Sequence, residues 1–147
     1  MAVEVREVEE ADVEVVLMLL GQLSDSPAEA CSPVDVRRTW QKIRRQHGRT
    51  LLVATVDGTP AGTADVTIVP NFTHGCRPWA IVENVVVDRR QRRRGVGRAL
   101  LADIIRRAHD NGCYKVQLLS NRRRTEAHVF YRSLGFETTA EGFRLYL

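Results

Sequence analysis

The chain predicts an α/β (α+β) fold: a single domain with a mixed, largely antiparallel, twisted sheet of about six or seven strands flanked by four helices. Three observations carry this. Apolar, β-branched runs on either side of Asp57-Gly58 and of Pro70–Gly75 read as three successive antiparallel strands. A valine strand then feeds a glycine turn that opens an amphipathic helix, between Glu83 and Ala108. The full order is strand, two helices, three strands, helix, strand, helix, two strands, which is not the regular alternation of a doubly wound sheet. At 147 residues the chain suits one domain with a real core.

Taken in order, Val3 and Val5 alternate with charged residues as a short edge-type strand. Asp12 is placed to cap a helix running to about Leu23, with Val13, Val16, Leu17 and Leu20 inward. Gly21 to Cys31 is a Ser/Pro/Asp loop. Ser32-Pro33-Val34-Asp35 starts a second helix with a cap, a first-turn proline and an acid at the third position. Val36, Trp40 and Ile43 share its inner face, and Gly48 stops it. Leu51–Val56, Thr59–Val69 and Trp79–Val87 are the three antiparallel strands. The next helix aligns Leu100, Leu101, Ile104, Ile105 and Ala108, and Asn111-Gly112 ends it. Tyr114–Leu119 is a strand and Glu126–Leu134 a helix closed by Gly135; Phe136–Thr138 and Phe143–Leu147 are the last two strands.

Composition removes several function classes. With 44% hydrophobic and 27% charged residues, the chain is globular and not disordered. Val15–Leu20, its longest apolar run, is far too short to span a bilayer, and the polar start MAVEVREVEE gives no secretory signal. Cys31, Cys76 and Cys113 are odd in number and unpatterned, which points to a reducing cytoplasm and no metal site. The net charge is +4, carried almost entirely by arginine. The runs Arg89–Arg98 and Arg122–Arg124 suit phosphate; charge alone leaves a nucleic-acid-binding module open, although no helix-turn-helix, zinc or RNA-recognition signature accompanies them.

The chemistry concentrates between Glu83 and Ala108. Val85-Val86-Val87 suits a buried strand, Asp88–Arg94 is an arginine-rich turn, and a helix follows from Gly95. A helix N-terminus offers unpaired N–H groups and the positive end of a dipole, and Gly95 and Gly97 let a ligand approach the backbone. Arg90, Arg92, Arg93, Arg94 and Arg98 surround that point. The site therefore suits an anionic, phosphate-bearing cofactor. Two known phosphate loops are excluded: there is no G-x-x-x-x-G-K-[ST], and G-x-G-x-x-G needs glycine where Leu100 stands.

Arg92-Arg93-Arg94-Gly95-Val96-Gly97 after a valine strand resembles the R/Q-x-x-G-x-G/A signature of the GNAT acetyltransferase superfamily. Ala127-His128-Val129-Phe130-Tyr131-Arg132-Ser133-Leu134-Gly135-Phe136 resembles that superfamily's A-x-x-F/L-Y-x-x-x-G-F segment, and the element order matches across nearly the whole chain. The resemblance implies acetyl-CoA as cosubstrate, no metal, and transfer of an acetyl group to a primary amine by direct attack in a ternary complex. It implies cofactor contacts from Val85, Val86, Val87, Arg92, Arg93, Arg94, Gly95, Val96, Gly97 and Arg98, with an N–H near Val86 polarising the acetyl carbonyl. Tyr131 matches the acid toward the CoA sulfur, and Glu83 is the candidate base, directly or through water. Asn84, Asp65, His74 and His128 are lesser candidates. Where many members carry an asparagine seven residues before the tyrosine, this chain has Arg124; Asn121 is the candidate substitute.

The look is nearest to small-amine members such as aminoalkylphosphonate acetyltransferases, with glucosamine-6-phosphate and aminoglycoside enzymes more distant. The partners expected are acetyl-CoA and a small amine, with a homodimer one assembly open to the chain, and neither a membrane nor nucleic acid. Acetylation of a protein N-terminus or lysine, or of charged tRNA, is the alternative on the same fold.

Overall fold

The computed structural model describes residues 1–23 and 29–147, which divide into two units, Met1–Gln117 and Leu118–Leu147. In the first unit, β1 (Val3–Glu7) leads through a 3-10 turn over Glu10–Asp12 into α1 (Val13–Leu20). Asp12 stands where a cap is expected, yet its side chain does not cap α1. Its carboxylate accepts from two Arg6 guanidinium nitrogens at 2.6 and 2.8 Å and from the Glu9 N–H at 2.8 Å. The helix also stops short of Leu23, and Leu17 is 43% exposed while Leu19 is fully buried. At about 100° per residue, Leu19 lies about 60° from Val16 and Leu17 about 100°, so the inward arc takes Leu19.

The Gly21–Cys31 loop falls partly on residues 24–28, outside the described residues. In α2 (Pro33–Arg45) the Ser32 hydroxyl accepts from the Asp35 N–H at 3.1 Å and donates to its carboxylate at 2.8 Å, with Pro33 opening the helix as the sequence predicts. Trp40 is buried with Val8, Val16 and Val53, and Val13, Leu20, Ile43 and Leu51 pack against them. So α1 and α2 cover the sheet face that carries Leu51 and Val53.

β2 (Arg49–Val56) and β3 (Thr59–Val69) form a hairpin over Asp57 and Gly58, both with positive φ as a two-residue turn of this kind requires. The connection from Pro70 contains a short helix, α3 (Thr73–Cys76), before β4 (Trp79–Val87). Helix α4 (Val96–Asp110) then crosses to β5 (Val116–Leu118). The sheet order is β1-β2-β3-β4-β5, and the first four strands are mutually antiparallel. Beside β4, Tyr114 N–H donates to Pro78 O and Ala80 N–H to Lys115 O, both at 3.0 Å. The partners advance together, so this edge is parallel, as a helical crossover demands, and the sheet is mixed.

Gly62 lets α4 lie close to β3: a Cβ there would stand 2.8 Å from Val96 Cγ1 and 2.9 Å from Val86 O. The buried stripe of α4, Val96, Leu100, Leu101, Ile104 and Ala108, is the one its periodicity predicts, and it covers the other face of the sheet.

The second unit holds α5 (Thr125–Ser133), followed by chain with no strand. The fold is α+β, but the described residues form five strands, not six or seven, and five α-helices, α3 being the unexpected one. Phe136–Thr138 and Phe143–Leu147 are the strands that do not form. Phe143, Leu145 and Tyr146 are 91%, 86% and 83% exposed. A β-forming composition states only that a segment fits a pleated, half-buried surface; it supplies no neighbour for the ladder.

Candidate active site

The turn before α4 is built by a residue the motif does not contain. Asp88 is buried; its N–H donates to Ala61 O at 2.8 Å and its carboxylate accepts from the Arg90 N–H at 3.0 Å. The Arg90 guanidinium adds contacts at 3.2 and 3.4 Å, and Gln91 N–H returns to Asp88 O at 2.8 Å. The Arg90 N–H, then the Arg90 guanidinium, hold the Asp88 carboxyl below the usual carboxylate range against the opposing effect of burial.

Beyond this anchor the backbone turns left-handed at Arg93 (φ 62) and Gly95 (φ 81), and α4 starts at Val96. Ala99 N–H makes the first helical bond, to Gly95 O at 2.9 Å, and no side chain caps the end. The N–H groups of Val96, Gly97 and Arg98 therefore have no helical acceptor. A Cβ at Gly95 would meet nothing within 4 Å, so the turn is open in front. Arg92, Arg93, Arg94 and Arg98 are exposed and make no ion pair among the described residues, whereas Arg90 is held by Asp88. Free donors, a dipole end and four uncommitted cations converge on one open place.

In β4, Thr63 pairs with Val86 and Asp65 with Glu83, so one residue of β3 faces two of β4. This is a bulge, and Asn84 takes it up at φ 54. Plain alternation puts Glu83, Val85 and Val87 on one side of the strand; the bulge instead places Glu83 with the buried Val86. Leu51 pairs with Asp65 and Asp65 with Glu83, and directly opposed residues share a face. Glu83 thus lies on the α1/α2 face, while Val87, opposite Gly62, lies on the α4 face. Glu83 is exposed and no arginine pairs with it among the described residues. Its neighbour Asp65 is buried and held by Arg49 at 2.6 Å. That hydrogen bond is the largest cause raising the Arg49 pKa.

In the second unit, Tyr131 is 9% exposed, its ring tilted on Phe130 at 5.3 Å and edge-on to Phe136 at 5.9 Å. Its hydroxyl makes no hydrogen bond among the described residues, and burial, opposed by the charge of Arg124, pushes its pKa up, so it is a proton donor at neutral pH. Asn121 spends its side-chain oxygen on the Arg123 N–H at 3.0 Å, and its carbonyl holds His128 Nε2 at 2.8 Å and the Arg124 N–H at 3.0 Å. His128 is therefore a local brace. His74 stacks on Tyr114 at 3.8 Å and its Nδ1 meets Thr73 Oγ1 at 2.9 Å, a structural use as well.

Among the described residues no cluster of three His, Cys, Asp or Glu side chains could hold a metal, and no helix is long and apolar enough to cross a membrane. Sequence reasoning missed Asp88 and Arg49. Asp88 had a signal, an acid directly after a valine strand and two residues before an arginine; Arg49 had none, since its partner lies sixteen residues away.

A bulged strand carrying an exposed carboxylate passes into an open, uncapped helix end that suits a phosphate-bearing ligand. The chain belongs to the Acetyltransferase (GNAT) family, whose model matches residues 17–136. It is similar to a glucosamine 6-phosphate N-acetyltransferase of Trypanosoma brucei brucei, 34% identical over 97% of this chain and 94% of that protein. An aminoglycoside N(6')-acetyltransferase type 1 of Stenotrophomonas maltophilia is 31% identical over 67% of this chain and 66% of that protein. The crystal structure of glucosamine-6-phosphate N-acetyltransferase from Arabidopsis thaliana superposes with a TM-score of 0.86, at 26% identity, over 99% of each chain. The chain is an N-acetyltransferase that uses acetyl-CoA as its acetyl donor.

Proposed function

We propose that residues 1–147 work as one acetyltransferase domain that acetylates the primary amine of a small molecule in the cytoplasm, with Glu83 as base and Tyr131 as acid. The observation that supports the cofactor half is the uncapped start of α4 behind left-handed Gly95, ringed by Arg92, Arg93, Arg94 and Arg98. There the N–H groups of Val96, Gly97 and Arg98 and the four guanidinium groups receive the pyrophosphate of CoA. The backbone of Val85, Val86 and Val87 lines the cofactor arm, and a donor near Val86 polarises the acetyl carbonyl as charge develops on its oxygen. Arg124 and Asn121 are assigned to the cofactor as well; for Asn121 the free group is its side-chain nitrogen.

The acceptor amine arrives protonated at neutral pH. Its proton passes to a Glu83 carboxylate oxygen, directly or through one water, and the freed lone pair forms the N–C bond. The C–S bond then breaks, the leaving thiolate takes the proton of the Tyr131 hydroxyl, and the nitrogen gives up its second proton to the Tyr131 phenolate through water, leaving a neutral amide and the CoA thiol; Glu83 returns its proton to solvent. The relatives' names support an amino sugar or aminoglycoside as acceptor; an aminoalkylphosphonate is a further candidate on the look of the two motifs.

The test is release of free CoA thiol from acetyl-CoA across a panel of small amines, run with wild type and Glu83→Gln. Turnover with at least one amine, reduced about 10²-fold or more by Glu83→Gln, is expected. That loss should shrink as pH rises and more amine arrives neutral. Wild-type rate and pH profile in Glu83→Gln would remove Glu83 from the mechanism.

A further inference from the structure

The sheet face that carries Glu83 also carries an ion pair whose carboxylate, Asp65, is buried and whose guanidinium, Arg49, is part-buried. Asp65 stands directly across from Glu83, and cross-strand partners hold their Cβ atoms about 5 Å apart. Its side chain is 9% exposed. Arg49, from β2, covers it with three hydrogen bonds: Nε to Oδ1 at 3.1 Å, Nε to Oδ2 at 3.2 Å, and Nη2 to Oδ2 at 2.6 Å. Gln46, just past α2, accepts from Arg49 Nη1 at 3.2 Å and fixes the other side of the guanidinium.

A pair of this kind gains little stability over apolar residues of the same volume, because desolvation offsets the attraction. Two carboxylates placed opposite each other repel, and without a matching cation such a dyad holds a shared proton. Among the described residues the other charges on this face are committed elsewhere or exposed: Arg6 of β1, opposite Val53, is held by Asp12. β2 carries no charge but Arg49 and β4 none but Glu83. On α1 the single charge, Glu14, is exposed, as are Asp35, Arg37, Arg38, Lys42, Arg44 and Arg45 of α2. The charges of α4 belong to the opposite face.

We propose that Arg49 and Asp65 are a positioning pair for Glu83: Arg49 matches the Asp65 charge, so that of two facing carboxylates Glu83 alone takes the acceptor's proton. This rests on Glu83 being the base. Removing Arg49 leaves two facing carboxylates with no matching cation. Removing the Asp65 charge instead leaves Arg49 as a cation whose carboxylate partner is gone, on the face that carries Glu83.

The experiment is the pH profile of kcat/KM for Arg49→Met, Arg49→Lys, Asp65→Asn, the Arg49→Met/Asp65→Asn double variant and Glu83→Gln, with acetyl-CoA affinity measured on each. The acid limb should move up by about one pH unit or more in Arg49→Met and down by a similar amount in Asp65→Asn. It should return to within a few tenths of a unit of wild type in the double variant and in Arg49→Lys. Acetyl-CoA affinity should stay within about twofold throughout. Should Arg49→Met fail to fold, a downward shift in Asp65→Asn beside an unmoved limb in Arg49→Lys decides the matter. Acid limbs that stay in place, or that move in the same direction in both single variants, overturn the pairing role while a large loss in Glu83→Gln leaves the base assignment standing. A wild-type profile in Glu83→Gln removes the base assignment itself.

Discussion

Replacing Gly95 by alanine separates what the glycine does for the fold from what it does for the ligand. Gly95 sits at φ 81, ψ 9, and an added Cβ meets no atom within 4 Å. The cost to folding is thus conformational alone, about 1–2 kcal/mol for a residue forced left-handed. For a chain of this size that lowers Tm by about 3–8 °C. The same methyl group stands at the open mouth of the turn, where a phosphate must come within hydrogen-bond distance of the N–H groups of Val96 and Gly97. An acetyl-CoA affinity loss of about tenfold or more, about 1.4 kcal/mol, is expected by titration calorimetry. Gly95→Asn, which tolerates this backbone far better, should recover most of the Tm and little of the affinity. Wild-type acetyl-CoA affinity in a folded Gly95→Ala protein would refute the placement of the phosphates. Gly97→Val should weaken acetyl-CoA binding in the same way.

Other substitutions test other links. Gly62→Val should lower Tm with a cost of about 1–3 kcal/mol or more, because the new Cβ meets the immovable Val86 carbonyl as well as Val96; an unchanged Tm in thermal denaturation would contradict the close packing of α4. Tyr131→Phe should reduce turnover at saturating acetyl-CoA with cofactor affinity nearly unchanged, since the thiolate exists only as the reaction proceeds; a loss confined to affinity would assign Tyr131 to binding. Asp12→Asn should cost about 1 kcal/mol at pH 7, a value discounted because Arg6 is about half exposed. The Arg6 hydrogen bond is the largest cause lowering the Asp12 pKa in the folded chain, so its contribution is complete above the ordinary carboxylate range and is lost as pH falls through the lowered value. The stability gap between wild type and Asp12→Asn in urea should therefore shrink below about pH 4, and a gap that widens there contradicts the sign.

Much of the sheet and its punctuation was legible because it is local. Asp57-Gly58 names its own turn, Ser32-Pro33 its own helix start, and the stripe from Val96 to Ala108 its own buried face. The turn of the proposed cofactor site was legible for the same reason, since Val87 through Gly97 are contiguous and their chemistry is that of one helix end. The short helix α3 was missed because it is one irregular turn, with His74, Gly75 and Cys76 all left-handed, and Gly75 reads in sequence as part of a connection.

Where the answer depended on a partner far along the chain, the sequence could not give it. Phe143–Leu147 has the composition of a strand, and only the absence of a neighbour among the described residues leaves it unpaired and exposed. Asp12 looks like a cap and is instead Arg6's partner, because a guanidinium offers it two bonds where a helix end offers one. The face of Glu83 turned on one extra residue at Asn84, and period-two alternation carries no record of a bulge. The sequence by itself determined the strand, turn and helix to which the chemistry is proposed to belong, because those follow from propensity and spacing. Only the tertiary structure decided that Glu83 would face Asp65 and that Arg49 would match that charge, because register across three strands is set by packing on both faces of the sheet.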